Sequence, residues 1–335
     1  MQAPVCRDCF TGTLRDDATP TGHEEVIYGL PTYVTRPEPG VKPLGTVVFI
    51  TDAFGWKLRN SRTLADAYAK RVPCIVYVPD FMNGHAFPES LLSAVEPPPT
   101  VPPTTLTGRL FTHLRSALTA LRLLPTVLLF LFRTRQSVTH PRVLAFLTAL
   151  RTTTTTTTTT TKVGVAGFCW GGLHTILLTH DVPRNRYRIA TAAQQGGNEG
   201  PGEEERPLID CGFTAHPSLL SFPAHIERVE RPLSVAIGDE DAYVGRENVA
   251  LMERVLGGKN EADAEGGGGA GAGAGGDGGE PEGVVLGRGP RYEMVMYPGA
   301  RHGFAVRGNR EDPAQREMGE QCEDQAVRWF RVWFR

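Results

Sequence analysis

Six short runs, apolar or nearly so, recur along the chain at residues 45–50, 74–78, 162–166, 212–215, 233–237 and 292–297. Most of them are separated by segments with helical spacing, at 61–71, 172–179, 247–255 and 314–333. A strand with one wet face would alternate apolar and polar residues, whereas a continuous apolar run needs cover on both faces. In the segment at 61–71, Leu64, Ala67 and Tyr68 fall on one side, as a helix lying on a sheet requires. Strands alternating with helices give an α/β fold, a mostly parallel central sheet with helices on both faces.

The length of 335 residues allows one domain or two. Hydrophobic residues make up 40% of the chain, which excludes wholesale disorder. Lys and Arg number 35 against 37 Asp and Glu, so no basic excess argues for nucleic acid as a partner. The opening MQAPVCRDCF lacks a basic stretch followed by an apolar one, which makes the cytoplasm the default expectation. The longest apolar stretch, 123–132, has ten residues with Pro125 inside it, whereas a membrane span takes about 20. It reads as a buried or pocket-covering helix, with interfacial contact as a lesser option because Arg122, Arg133 and Arg135 flank it. The Pro-rich stretch 97–103 opens the excursion, up to about residue 150, that carries this helix.

Two low-complexity tracts, ten threonines at 152–161 and a Gly/Ala tract at 266–279, have no hydrophobic period. They are expected to be surface loops inserted in a single domain spanning 22–335, after a flexible segment 1–21. Six cysteines are too few for a disulfide framework. Cys6 and Cys9 form a lone CxxC with no second pair to complete a zinc site. No phosphate-binding glycine fingerprint follows the first strand and no cluster with metal-ligand spacing is visible, so neither a nucleotide cofactor nor a metal is expected.

The chemistry concentrates where the third of these runs ends. Gly167-Phe168-Cys169-Trp170-Gly171-Gly172 joins it to a helical segment. The spacing is that of a nucleophile held on a sharp strand-to-helix turn, with Cys169 as the nucleophile and glycines where side chains would clash. The helix N-terminus then points at the sulfur and favours negative charge there. Asp239 and Asp241 follow the fifth run, and His302 follows the sixth in a Gly-flanked loop. Nucleophile, acid and His in that chain order, each after a different strand, is the order of α/β hydrolases. His216, after the fourth run, is the competing histidine and is better suited to lining the pocket.

With these pieces the sequence resembles the dienelactone hydrolase family, particularly its fungal members. The matching stretches are Thr51-Asp52-Ala53-Phe54-Gly55-Trp56, the Cys169 turn, Ala215-His216-Pro217-Ser218, 238–244 and His302-Gly303-Phe304. The resemblance implies an α/β-hydrolase fold with a Cys169–His302–Asp241 triad that opens lactones and small esters, without a cofactor, through a thioester. The family spacing Gly-x-x-Asp-x-x-Val selects Asp241 over Asp239. The backbone N–H groups of Ala53 and Trp170 match the oxyanion hole. Asp52 matches a carboxylate, typically Glu in the family, that contacts the resting thiol. Arg307 stands one position beyond the family's substrate-binding Arg. The competing readings are a hydrolase of a different substrate, such as a small aryl ester, a thioester or another lactone, a non-catalytic small-molecule-binding protein on the same fold, and a redox role for the Cys6/Cys9 pair or for Cys169 with Cys211 approaching it.

Overall fold

A computed structural model of the chain describes residues 12–13, 19–92, 106–154, 161–190, 203–266 and 290–335. Cys6, Cys9 and the Gly/Ala tract beyond 266 lie outside the described residues. Eight strands form one sheet: β1 (His23–Ile27), β2 (Leu30–Thr35), β3 (Gly45–Ile50), β4 (Ile75–Pro79), β5 (Lys162–Phe168), β8 (Cys211–Ala215), β9 (Leu233–Gly238) and β10 (Tyr292–Tyr297). β6 (Arg186–Ala190) and β7 (Glu203–Pro207) pair separately as an antiparallel ribbon.

The order across the sheet is β1-β2-β4-β3-β5-β8-β9-β10. Only the β1–β2 and β2–β4 pairs are antiparallel; the rest run parallel. The six parallel strands are the six apolar runs, and β3, β8 and β9 are buried at every residue. β1 and β2 escape an apolar-run search because HEEVI and LPTYVT are mixed in character, as an edge hairpin open to water allows. This is the expected α/β-hydrolase architecture.

Helices cover both faces. α1 (Arg59–Arg71) buries Leu64, Ala65, Tyr68 and Ala69, and Lys70 and Arg71 stand favourably at its negative end. α4 (Trp170–Leu178), buried throughout, follows β5. α6 (Arg246–Gly266) precedes β10. α8 (Pro313–Trp333) starts at Asp312, whose carboxylate accepts from the amides of Ala314 and Gln315, with Pro313 at its first position. Two short turns, α5 (Ala224–Glu227) and α7 (Phe304–Arg307), complete the set.

The excursion between β4 and β5 is a helical pair, α2 (Leu106–Arg133) and α3 (Gln136–Thr154). α2 is longer than the apolar stretch and continues through Pro125. Among its described side chains, one side covers and the other is open. Phe130 is buried, while Leu121, Leu124, Leu128, Leu129 and Phe132 are exposed. The expectation of a buried helix therefore holds for its inner side alone. Among the described residues, no helix is long and apolar enough to cross a membrane.

The threonine tract differs from expectation at its start, since Thr152, Thr153 and Thr154 belong to α3. Their hydroxyls donate back to the carbonyls of Thr148, Ala149 and Leu150, which lets threonine persist in a helix. The far end is pinned by buried Arg151, whose guanidinium donates to the carbonyls of Thr161 and Leu208 and to Asp210. Thr13, within the segment expected to be flexible, is held as well: its amide donates to Arg307 O, and Asn60 donates to its carbonyl. The threonine tract leads into the amino end of β5, and residue 290 leads into the amino end of β10. Both openings lie across the sheet, about 20 Å of strand, from the carboxyl edge where the site is built.

Candidate active site

The chain leaves β3 for β4 on one side, and β5 pairs with β3 on the other. Such a reversal opens a crevice at the carboxyl ends of the strands. In the register, Ile50 lies beside Gly167, Phe168 beside Ala215, Ala215 beside Ala236, and Gly238 beside Tyr297. The residues that follow, Asp52–Ala53, Cys169–Trp170, His216, Asp241 and His302, therefore all emerge at one edge.

Cys169 ends β5 and caps α4 with φ 51° and ψ −110°, a backbone setting that L-residues rarely adopt and that active sites retain. The turn is tight enough to forbid side chains beside it. A Cβ on Gly171 would lie 2.1 Å from Ile50 O, and one on Gly167 would lie 2.1 Å from Thr175 Oγ1. Of the first three amides of α4, Gly171 donates to Thr51 O and Gly172 to Cys169 O. The oxyanion expectation at this turn therefore rests on Trp170. The Trp170 indole donates to Thr134 O at the end of α2 and stands edge-on to His174. Ala53 lies in the turn after β3, where Gly55 N–H closes on Asp52 O and Phe87 N–H donates to Ala53 O.

The acid and the histidine meet. His302 Nδ1 is 3.0 and 3.1 Å from the two oxygens of Asp241, and both side chains are fully buried. Because a carboxylate only accepts, Nδ1 carries the proton and Nε2 is the basic nitrogen. Asp241 Oδ1 also accepts from Tyr243 N–H, and the Tyr243 ring lies 4.6 Å from that of His302. Asp239 takes a different job, accepting from Gly299 N–H and bracing the loop that carries His302.

His216, fully buried with φ 40°, packs its ring edge-on against His302 at 5.1 Å, and also against Phe304. It stands beside His302 at the same edge of the sheet. Ser218, in the same stretch but given no role from the sequence, donates its amide to Cys169 O and places Oγ 3.8 Å from Cys169 Sγ. Ser218 and His216 thus connect the sulfur side of the crevice to the His302 side. Nothing in the spacing of Ala215-His216-Pro217-Ser218 signals the serine contact, because it depends on the β5–β8 register.

Asp52 and Arg307 pair with each other. Arg307 Nε donates to Asp52 Oδ2 at 2.8 Å, Phe54 N–H donates to Oδ1, and the guanidinium lies over the Phe54 ring. The other described cysteines are remote from this chemistry. Burial pushes the thiols of Cys74, Cys211 and Cys322 well up, which keeps them protonated. Cys211 sits beside Gly164, five residues of strand (about 16 Å) below Cys169, too far for a disulfide. Among the described residues, no group of three or more His, Cys, Asp or Glu side chains is gathered to hold a metal ion.

The sequence from 30 to 265 matches the model of the dienelactone hydrolase family. The chain belongs to that family. Members cleave esters and lactones, and this chain is a hydrolase of that type. It is similar to the hydrolase pyvD of Aspergillus violaceofuscus, 23% identical over 332 residues, covering 99% of this chain and 98% of that protein. It is also similar to the hydrolase tropI of Talaromyces stipitatus, 22% identical over 327 residues, covering 98% and 96%. The same fold is present in the crystal structure of a dienelactone hydrolase, described as putative, from Klebsiella pneumoniae, with a TM-score of 0.53 at 16% identity, covering 92% of this chain and 97% of that one.

Proposed function

We propose that this family member hydrolyses small neutral carboxylic esters or lactones with Cys169 as nucleophile, His302 as base and Asp241 as the group that orients it. The observation that carries this reading is the buried His302–Asp241 pair at the sheet edge where Cys169 is held in left-handed backbone. A free thiol has a pKa of about 8.5, so it needs a base and a positive helix end to react near neutrality. His302, emerging at the same edge of the sheet, would be the base, and the amino end of α4 would supply the positive end.

In the first half-reaction His302 Nε2 takes the thiol proton and the sulfur attacks the carbonyl carbon. The oxyanion is held by the amides of Ala53 and Trp170; each such donor contributes about 3–4 kcal/mol in comparable sites. The C–O bond breaks, the leaving alkoxide takes the proton from His302, and a thioester on Cys169 remains. In the second half-reaction His302 draws a proton from water, hydroxide attacks the thioester, and the carboxylic acid leaves as sulfur recovers its proton. Cys169, Asp241 and His302 are 3, 5 and 4% exposed, so side chains over the crevice must move to admit substrate. The aromatic series from the Ala53 turn outward, in which Phe54 meets Phe87 edge-on and Phe87 stacks on Phe130, favours an apolar acyl or alcohol group.

The test is a panel of aryl and alkyl esters and lactones of graded chain length, with and without an alkylating agent. Mass spectrometry of an acid-quenched reaction should show the acyl group on Cys169. Turnover that survives replacement of Cys169 by Ala would end the proposal.

A further inference from the structure

The catalytic reading leaves the outer face of α2 without a task. We propose that this face docks on the surface of an anionic lipid bilayer, with the helix lying in the plane of the headgroups.

The helix has two distinct sides. Phe130 on the inner side stacks on Phe87 with ring centres 4.2 Å apart. On the outer side Leu114, Leu118, Leu121, Leu128 and Phe132 are 47–66% exposed. Their steps of four, three, seven and four residues keep them in one stripe, with Pro125 at the step between Leu121 and Leu128. Single exposed leucines are ordinary, but a contiguous stripe along most of a helix of about 40 Å marks an interaction surface.

Charge decides the occupant. Residues 106–135 include Arg109, Arg115, Arg122, Arg133 and Arg135 and no Asp or Glu, in a chain whose net charge is −2. Arg122 and Arg133, both exposed, stand three turns apart on one flank of the stripe. Arg135, just past the helix, lies over the Phe132 ring at 4.3 Å. An apolar stripe bordered by arginines suits a helix half-sunk at a lipid surface, its leucines among the acyl chains and its guanidinium groups at anionic headgroups. A second copy of the same helix would instead set arginine against arginine. No described helix can span a bilayer, so the contact is with the surface.

The test needs no substrate and does not depend on the hydrolase reading. The full chain is sedimented with phosphatidylcholine vesicles, with and without about one-third phosphatidylserine. Co-sedimentation with the anionic vesicles is expected, and it should weaken at high salt. Leu121→Glu/Leu128→Glu should lower the apparent affinity about tenfold or more with an unchanged melting curve. A single Leu128→Trp variant provides a readout that a folding defect would not imitate: its added fluorescence should be quenched by bromine-labelled acyl chains. A protein that stays in solution with both vesicles, or binds neutral vesicles equally, overturns the proposal. So does a concentration-dependent dimer, without vesicle binding, that the double variant dissociates.

Discussion

Arg307 Nε stands 2.8 Å from Asp52 Oδ2, with side-chain exposures of 1 and 0%. The pair joins the turn after β3 to the turn after β10, the two segments that also carry Ala53 and His302. Removing either partner leaves a buried charge uncompensated, which costs about 3–5 kcal/mol. Asp52→Asn and Arg307→Met should each destabilise the protein by about that much in urea melts. The double variant should lose clearly less than the sum of the two. Strict additivity would show that the pair does not interact.

The same pairing bears on substrate choice. A substrate carboxylate that sought Arg307 would compete with Asp52 at the guanidinium. Neutral esters and lactones should therefore be turned over with kcat/KM about tenfold or more above carboxylate-bearing analogues of similar size. Matched pairs of substrates, with the carboxylate esterified in one, provide the measurement. Preference for the anionic member would contradict this reading of the site.

Within the proposed triad, the aspartates separate by role. Asp241→Asn replaces an acceptor-only carboxylate by an amide that can stabilise the wrong His302 tautomer, and should lower kcat by about 10²–10⁴. Asp239→Asn touches only the loop amide of Gly299, and kcat should stay near that of the unaltered protein. Cys169→Ala should remove turnover without shifting the urea midpoint greatly, because its side chain is small. Single-turnover kinetics on the three variants distinguish these outcomes.

The parallel strands and the three candidate catalytic residues are legible in the sequence for physical reasons. A strand buried on both faces has to be apolar throughout, and a turn that brings Gly171 against Ile50 O tolerates no side chain. What escaped the sequence depends on register and packing. Ser218 meets Cys169 because β8 lies beside β5, and Asp52 finds Arg307 across 255 positions. The edge hairpin β1–β2 and the ribbon β6–β7 carry mixed residues because one side of each can face water. α2 misleads in a different way. Its leucines read as core, yet among the described residues Leu121, Leu124, Leu128 and Leu129 are exposed while Phe130 packs on Phe87. The first threonines of the tract become helical because α3 is already formed when the chain reaches them, so each added turn costs little.

Behind the Cys169 turn, His140 Nδ1 and His174 Nδ1 lie 3.2 Å apart, and His174 Nε2 meets Thr139 Oγ1. Burial disfavours the charged imidazoles, pushing His140 down to about 4 and His174 to about 3. Positive neighbours add to this, Arg184 and His180 for His140, and His140 itself for His174. Both folded values lie below the ordinary histidine value of about 6.5, so between these limits the unfolded chain binds more protons than the folded one. The stability these groups contribute is complete above pH 6.5 and is lost as the pH falls toward 4 and then 3. Between pH 5 and 6 the unfolded chain takes up roughly two protons at this pair, a slope of about 2–3 kcal/mol per pH unit. Urea melts at closely spaced pH values should show that slope, and His140→Gln should cut it by about half. A stability curve flat from pH 7 to 5 would mean that the pair is already hydrated enough to charge, and that the contact of His174 with Trp170 does not stay dry.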